Sequence, residues 1–142
     1  MGFELEIPLA ASEVWRRIAR AQEFLCLDPF HCRVVLLSPR LTAGAELRID
    51  HLIMGISIAR FGRILYWNEE EGYALSDLSG RGKRRGFPHV FFIRVTPMGQ
   101  QGCRLTVEVR GRWTTPFVPA RIGMYWLRWV ASDHARLLQK TI

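Results

Sequence analysis

Apolar and acidic residues alternate in Phe3-Glu4-Leu5-Glu6-Ile7, the period of two that marks a half-buried strand, and Pro8 ends it. Ser12 then stands where a helix cap is wanted, with Glu13 in the first turn on the favourable side of the helix dipole. Val14, Trp15 and Ile18 share one helical face, while Arg16, Arg17 and Arg20 turn outward. Glu23 to Leu27 predicts a second short helical piece, stopped by Asp28-Pro29.

From His31 the pattern becomes that of strands. His31 to Leu37 is rich in β-formers and stops at Ser38-Pro39. Between Ala45 and Ile53, Leu47, Ile49, His51 and Ile53 fall on one face and Glu46, Arg48 and Asp50 on the other. Ile58 to Trp67 predicts a further strand in which Gly62 marks a bulge and leaves the register open. A turn at Asn68–Gly72 precedes the strand Tyr73–Leu78, and a polar turn over Ser79–Gly86 follows it. His89, Phe91, Ile93 and Val95 then share a face, as do Cys103, Leu105, Val107 and Val109 beyond the turn at Pro97–Gly102.

After Thr114-Thr115-Pro116 the period changes again. Pro119 suits the first turn of a helix, and no glycine or proline interrupts the chain beyond Gly123. Steps of 100° gather Gly123, Trp126, Leu127, Val130, His134, Leu137 and Leu138 on one side, against Arg121, Arg128, Ser132 and Gln139. Such a helix of roughly five or six turns is long enough to lie across a whole sheet. The order of elements is one strand, two short helices, six strands joined by turns, and one long helix. Strands in that succession form an antiparallel meander whose apolar face needs a cover. The last helix is the only element able to supply it, which makes the chain an α+β domain spanning residues 1–142.

Composition narrows the functional classes. At 142 residues with 49% hydrophobic and 23% charged positions, the chain suits a single globular core. No apolar run approaches the roughly 18–20 residues that cross a bilayer. The acidic start of the chain is not a secretory signal, and Glu6 stands where a myristoylation site needs Ser or Thr. These features predict a cytoplasmic protein. Cys26, Cys32 and Cys103 follow no zinc spacing and read as buried free thiols. The net charge of +7 raises the question of nucleic acid. Most of the arginines are scattered along alternating strands, however, and only Arg81, Lys83, Arg84 and Arg85 cluster, in a glycine-rich turn. A nucleic-acid partner is therefore not expected.

The element order resembles the helix-grip fold of the START-like superfamily (SRPBCC). The local likeness lies in Phe3–Pro8 running into Ala11-Ser12-Glu13-Val14-Trp15, in Phe61-Gly62-Arg63-Ile64-Leu65-Tyr66-Trp67, and in the terminal Trp126–Leu138 helix. That superfamily includes START lipid-transfer domains, the birch pollen allergen family, polyketide cyclases and dehydratases, and coenzyme Q-binding proteins. The resemblance implies a curved seven-stranded antiparallel sheet gripping the last helix. It also implies a hydrophobic small molecule, lipid, quinone or polyketide-like, in the space between them.

Polar residues on inward faces are then the informative ones. His51, His89 and His134 each sit among apolar neighbours, where an imidazole needs hydrogen-bond partners from the fold, from water or from a ligand. The expected ligand wall is Ile49, His51, His89, Phe91 and Trp113 on the sheet, with Trp126, Val130 and His134 on the helix. The three histidines come from separate elements without HxH or HExxH spacing, so neither metal nor cofactor is expected. Tyr66 and Asp77 have a facing that depends on register. An inward Asp77 beside a histidine would signal acid/base chemistry of the cyclase or dehydratase type, the alternative to simple binding or carriage. No GxSxG elbow or phosphate-binding glycine loop is present. Tyr125 and Trp129, an i, i+4 pair on the helix flank, offer a surface for the cavity mouth, a homodimer or a peripheral membrane contact. A third reading gives that pair, or the Arg81–Arg85 turn, to a membrane or RNA surface.

Overall fold

In the computed structural model, residues 1–53, 55–78, 87–114 and 119–142 are described, without the side chains of Leu78, Trp126 and Leu127. The elements run β1 (Gly2–Ile7), α1 (Ala11–Ile18), α2 (Ala21–Leu25), β2 (His31–Leu36), β3 (Glu46–Ile53), β4 (Ile56–Asn68), β5 (Gly72–Leu78), β6 (His89–Pro97), β7 (Cys103–Gly111) and α3 (Ala120–Thr141). The strands form one seven-stranded antiparallel sheet in the order β1-β7-β6-β5-β4-β3-β2. The meander pairs each strand from β2 to β7 with the next, and β1 closes on the far edge beside β7. The basic cluster Arg81, Lys83, Arg84 and Arg85 lies outside the described residues.

Alternation decides which face is covered. Leu5 and Ile7, Leu47 and Ile49, Tyr73 and Leu75, Phe91, Ile93 and Val95, and Leu105 and Val107 all turn into one buried cluster. Val14, Ile18 and Phe24 from the short helices and Leu138 from α3 complete it. At about 1.5 Å per residue, the 22 residues of α3 give a rod of roughly 33 Å. Its last turns pack on β1, where the His134 ring meets Phe3 edge-on with centroids 5.5 Å apart. The Arg17 guanidinium of α1 donates to the carbonyls of Thr141 and Ile142, 3.1 Å each, and ties down the C-terminal end. Near the other end, Gly123 is buried against Trp113: a Cβ there would lie 2.8 Å from the indole. Of the residues expected on the inner face of α3, Leu137 is instead 38% exposed.

Three local readings change. The first helix starts at Ala11 with Ala10 as its cap residue and no side-chain cap bond, so Ser12 sits inside the first turn. Gly62 is not a bulge. The register shift of β4 against β5 falls between Ile64 and Tyr66, and Gly62 pairs in register with Asp77. Glycine is needed there because a Cβ would collide with the Ser76 carbonyl. Cys103 is buried as expected, but Cys26 and Cys32 are exposed.

Tyr73 shows how tightly the core is filled. Its ring stacks on Trp67 with centroids 5.0 Å apart, and Trp67 leans on Trp15 at 5.3 Å. The hydroxyl is buried without a hydrogen-bond partner, and burial pushes its phenol well above the usual range. Tyr73→Phe is therefore expected to leave stability unchanged or raise it by about 1 kcal/mol in urea denaturation. A loss of that size would show instead that the hydroxyl is paired.

Candidate functional site

The buried face of the sheet carries a group of charged and ionisable side chains at one end. Five strands build it. His31 opens β2 and pairs in register with His51 of β3, while Asp77 ends the inward series Tyr73, Leu75, Asp77 of β5 and pairs with His89 of β6. Arg60 of β4 lies in the inward phase shared by Gly62 and Ile64. Phe91 packs edge-on against both His31 and His89, with centroids at 5.8 and 4.7 Å.

Asp77 is the centre of the group, with 0% of its surface exposed. Its Oδ1 lies 2.7 Å from Arg60 Nε, and its Oδ2 lies 3.2 Å from His51 Nε2 and 3.6 Å from His89 Nε2. None of these contacts is aligned as a hydrogen bond, so both carboxylate oxygens remain without a formal donor. Arg60 is fixed independently, since its Nη2 donates to the carbonyls of Asp77 and Phe87 at 3.1 and 3.0 Å. Burial alone would raise the Asp77 carboxyl. The His51 contact and the charges of His89 and Arg60 outweigh it and hold the group below its ordinary value.

The imidazoles share one orientation. His31 Nδ1 lies 2.8 Å from the Leu25 carbonyl, His89 Nδ1 2.6 Å from Phe87, and His51 Nδ1 a longer 3.4 Å from Ile49. A carbonyl oxygen only accepts, so Nδ1 of His31 and of His89 carries the hydrogen and each neutral ring keeps its lone pair on Nε2, whereas His51 presents Nε2 to Asp77 as a donor. Burial pushes His31 and His89 below the usual imidazole range, against the pull of Asp28 on His31 and of Asp77 on both. His89 therefore turns a lone pair toward a carboxylate that also has only lone pairs. The arrangement calls for a shared proton, a cation or a donor group of a ligand to fill the gap.

The expected wall is distributed as follows. Ile49, His51, His89 and Phe91 are buried on the inward face of the sheet, and Val130 and His134 are buried on α3. The side chain of Trp126 lies outside the described residues. A depression of about 470 Å³ at the end of β6 and β7 is lined by Pro88, His89, Val90, Arg110, Arg112, Trp113 and Thr114. His89 thus joins the polar group to a space of ligand size. His134 faces Asp28, with its Nδ1 3.7 Å from Oδ2. Sequence reasoning missed His31 and Arg60. His31 sits where no alternation has yet begun, and Arg60 was hidden among the many solvated arginines. Its parity with Gly62 and Ile64 is the signal that could have found it.

His134 supports a prediction of its own. It is buried, its Nε2 has no partner, and burial holds it below the usual imidazole range despite Asp28, with His31 adding to the depression. The unfolded chain, with its imidazole at the ordinary 6.5, then binds a proton more readily than the folded one. The stability this group contributes is present above about pH 6.5 and is lost as pH falls through the folded value. Urea midpoints measured from pH 7.5 down to pH 5 should fall, and His134→Leu should flatten the slope. An identical slope in the variant would refute this.

No family model matches the sequence, and no curated protein matches it. Solved structures do. A Thermus thermophilus protein superposes with a TM-score of 0.75 at 16% identity, covering 98% of this chain and 91% of its own. A START superfamily protein from Mycobacterium smegmatis gives 0.70 at 16% identity, with 99% and 91% covered. The Zhui aromatase/cyclase of a Streptomyces species gives 0.69 at 13% identity, with 96% and 86% covered. The chain has the START-like helix-grip fold. In this fold the seven strands form a curved open sheet and α3 is the gripped helix, as the element order predicted. Among the described residues, no helix is long and apolar enough to cross a membrane.

Proposed function

We propose that this helix-grip protein binds a hydrophobic small molecule bearing one polar group, which it holds with the Asp77 group of side chains. The observation that carries this reading is the juxtaposition of an apolar wall, Ile49 and Phe91, with a buried carboxylate that lacks aligned donors and the imidazoles of His51 and His89 beside it. A dry core has no use for such a group, whereas a ligand hydroxyl or enol would supply the missing hydrogen. The START superfamily protein and the aromatase/cyclase among the similar structures agree with a small-molecule site.

The test compares a long-chain alcohol with the hydrocarbon of equal length in displacing a fluorescent apolar probe. The alcohol should bind at least about tenfold more tightly, the worth of one charge-assisted hydrogen bond. Failure of both to displace the probe, or of the probe to bind, would sink the proposal. Convergence of Asp77 with His51 and His89 also favours a second reading, an acid/base enzyme of the cyclase or dehydratase type. That reading expects Asp77→Asn to abolish turnover of a polyketide-like substrate while leaving its binding within a few-fold.

A further inference from the structure

We infer that His31, His51 and Asp77 form a binding site for one divalent transition-metal ion. One potential ligand atom from each of the three lies within 4.8 Å of the other two, and all three residues are buried. With Nδ1 of His31 committed to the Leu25 carbonyl, Nε2 is its free ligand atom. His51 Nε2 and Asp77 Oδ2 are 3.2 Å apart. Two ligands on one tetrahedral ion with bonds of 2.0–2.1 Å stand about 3.3 Å apart, so this edge is already in place.

The surroundings are those of a built site. Imidazoles and a carboxylate are the donor set of zinc and its neighbours in the first transition row. Two of the three ligands are oriented from behind: His31 by the Leu25 carbonyl, and Asp77 by Arg60, which takes Oδ1 and leaves Oδ2 to the imidazoles. The independent observation is that Oδ2 of Asp77, on a wholly buried side chain, has no aligned hydrogen-bond donor. A cation supplies what the lone pairs of Oδ2 and two Nε2 atoms together lack. Sequence spacing alone argued against a metal because it weighed His51, His89 and His134. The fold removes His134 to Asp28 and substitutes His31, brought opposite His51 by strand pairing.

The experiment uses full-length protein freed of metal with a chelator and titrated with Zn²⁺ by calorimetry. Co²⁺ serves as the optical probe. One equivalent of Zn²⁺ should bind per chain, with a rise in melting temperature. Co²⁺ should give visible bands without the near-ultraviolet absorption of a thiolate. His31→Gln and His51→Gln should each weaken binding at least tenfold. The double variant Cys26→Ser/Cys32→Ser, which removes the exposed thiols, should bind as the unaltered protein does. Absence of stoichiometric binding to the unaltered protein overturns the inference without needing any variant to fold. So does binding that survives both histidine changes or vanishes with the cysteines. Apolar-probe binding without zinc binding would refute this inference alone, and zinc binding without probe binding would refute the ligand proposal alone.

Discussion

Asp77→Ala should destabilise the protein by about 3–5 kcal/mol, the cost of leaving a buried charge without its partner. The charge in question is Arg60, whose Nε sits 2.7 Å from the carboxylate and whose side chain is 10% exposed. A guanidinium cannot shed its proton, and its two carbonyl contacts do not neutralise it. The reverse change, Arg60→Ala, should cost less, because Asp77 retains His51 and His89 as groups able to carry the compensating proton. Replacing both, as Arg60→Leu/Asp77→Leu, should recover most of the loss. Urea denaturation of the three variants checks the order. Equal costs for the two single variants would show that the charges are not coupled as the geometry implies. Marginal folds hold about 5–15 kcal/mol in all, so the first variant should be visibly impaired.

The second large effect concerns the roof. Leu138 is fully buried in the main apolar cluster at the end of α3. Leu138→Ala should cost about 2–5 kcal/mol, the transfer of the lost atoms plus the cavity left behind. The loss should be felt unevenly. The Arg17 bonds that fasten the end of the helix are exposed and contribute little. Hydrogen exchange in the last turns of α3 should therefore rise more than exchange in β6, whose inward residues remain packed. Uniform acceleration across the chain would mean that α3 does not open separately from the sheet. Ligand retention should weaken with this variant if the helix closes the site, which links the measurement to the proposed function.

Much of this architecture was readable in the amino-acid order. The alternation in Leu47, Ile49 and His51 and in His89, Phe91 and Ile93 placed two histidines on the buried face, where the structure has them. The long apolar stripe ending at Leu138 identified the covering helix. What could not be read was the meeting of residues far apart in the chain. Asp77 is directed inward by the register of β5, which is set by pairing with β4 and β6 and not by its own neighbours. Arg60 looked like one more solvated cation on a basic chain. His31 acquires its role only because β2 pairs it with His51, 20 positions later. Tyr125 and Trp129 stand out at 79% and 59% exposure, as their flank position suggested.

The pairing of Gly62 with Asp77, and of Asp77 with His89, also bears on how the chain reaches its native state. Side chains alternate along a strand, so a slip of β5 by one residue would turn Asp77 out to water and bring Ser76 in. It would also place a residue with a Cβ where Gly62 admits the Ser76 carbonyl. Arg60 would then be buried with nothing opposite it. A slip by two residues keeps the apolar side chains of β4 to β6 inward, so hydrophobicity alone resists it less. A single buried carboxylate, matched to one guanidinium and one glycine, makes all but one register costly. The same side chains that make up the proposed binding site thereby act as proofreaders of the sheet during folding.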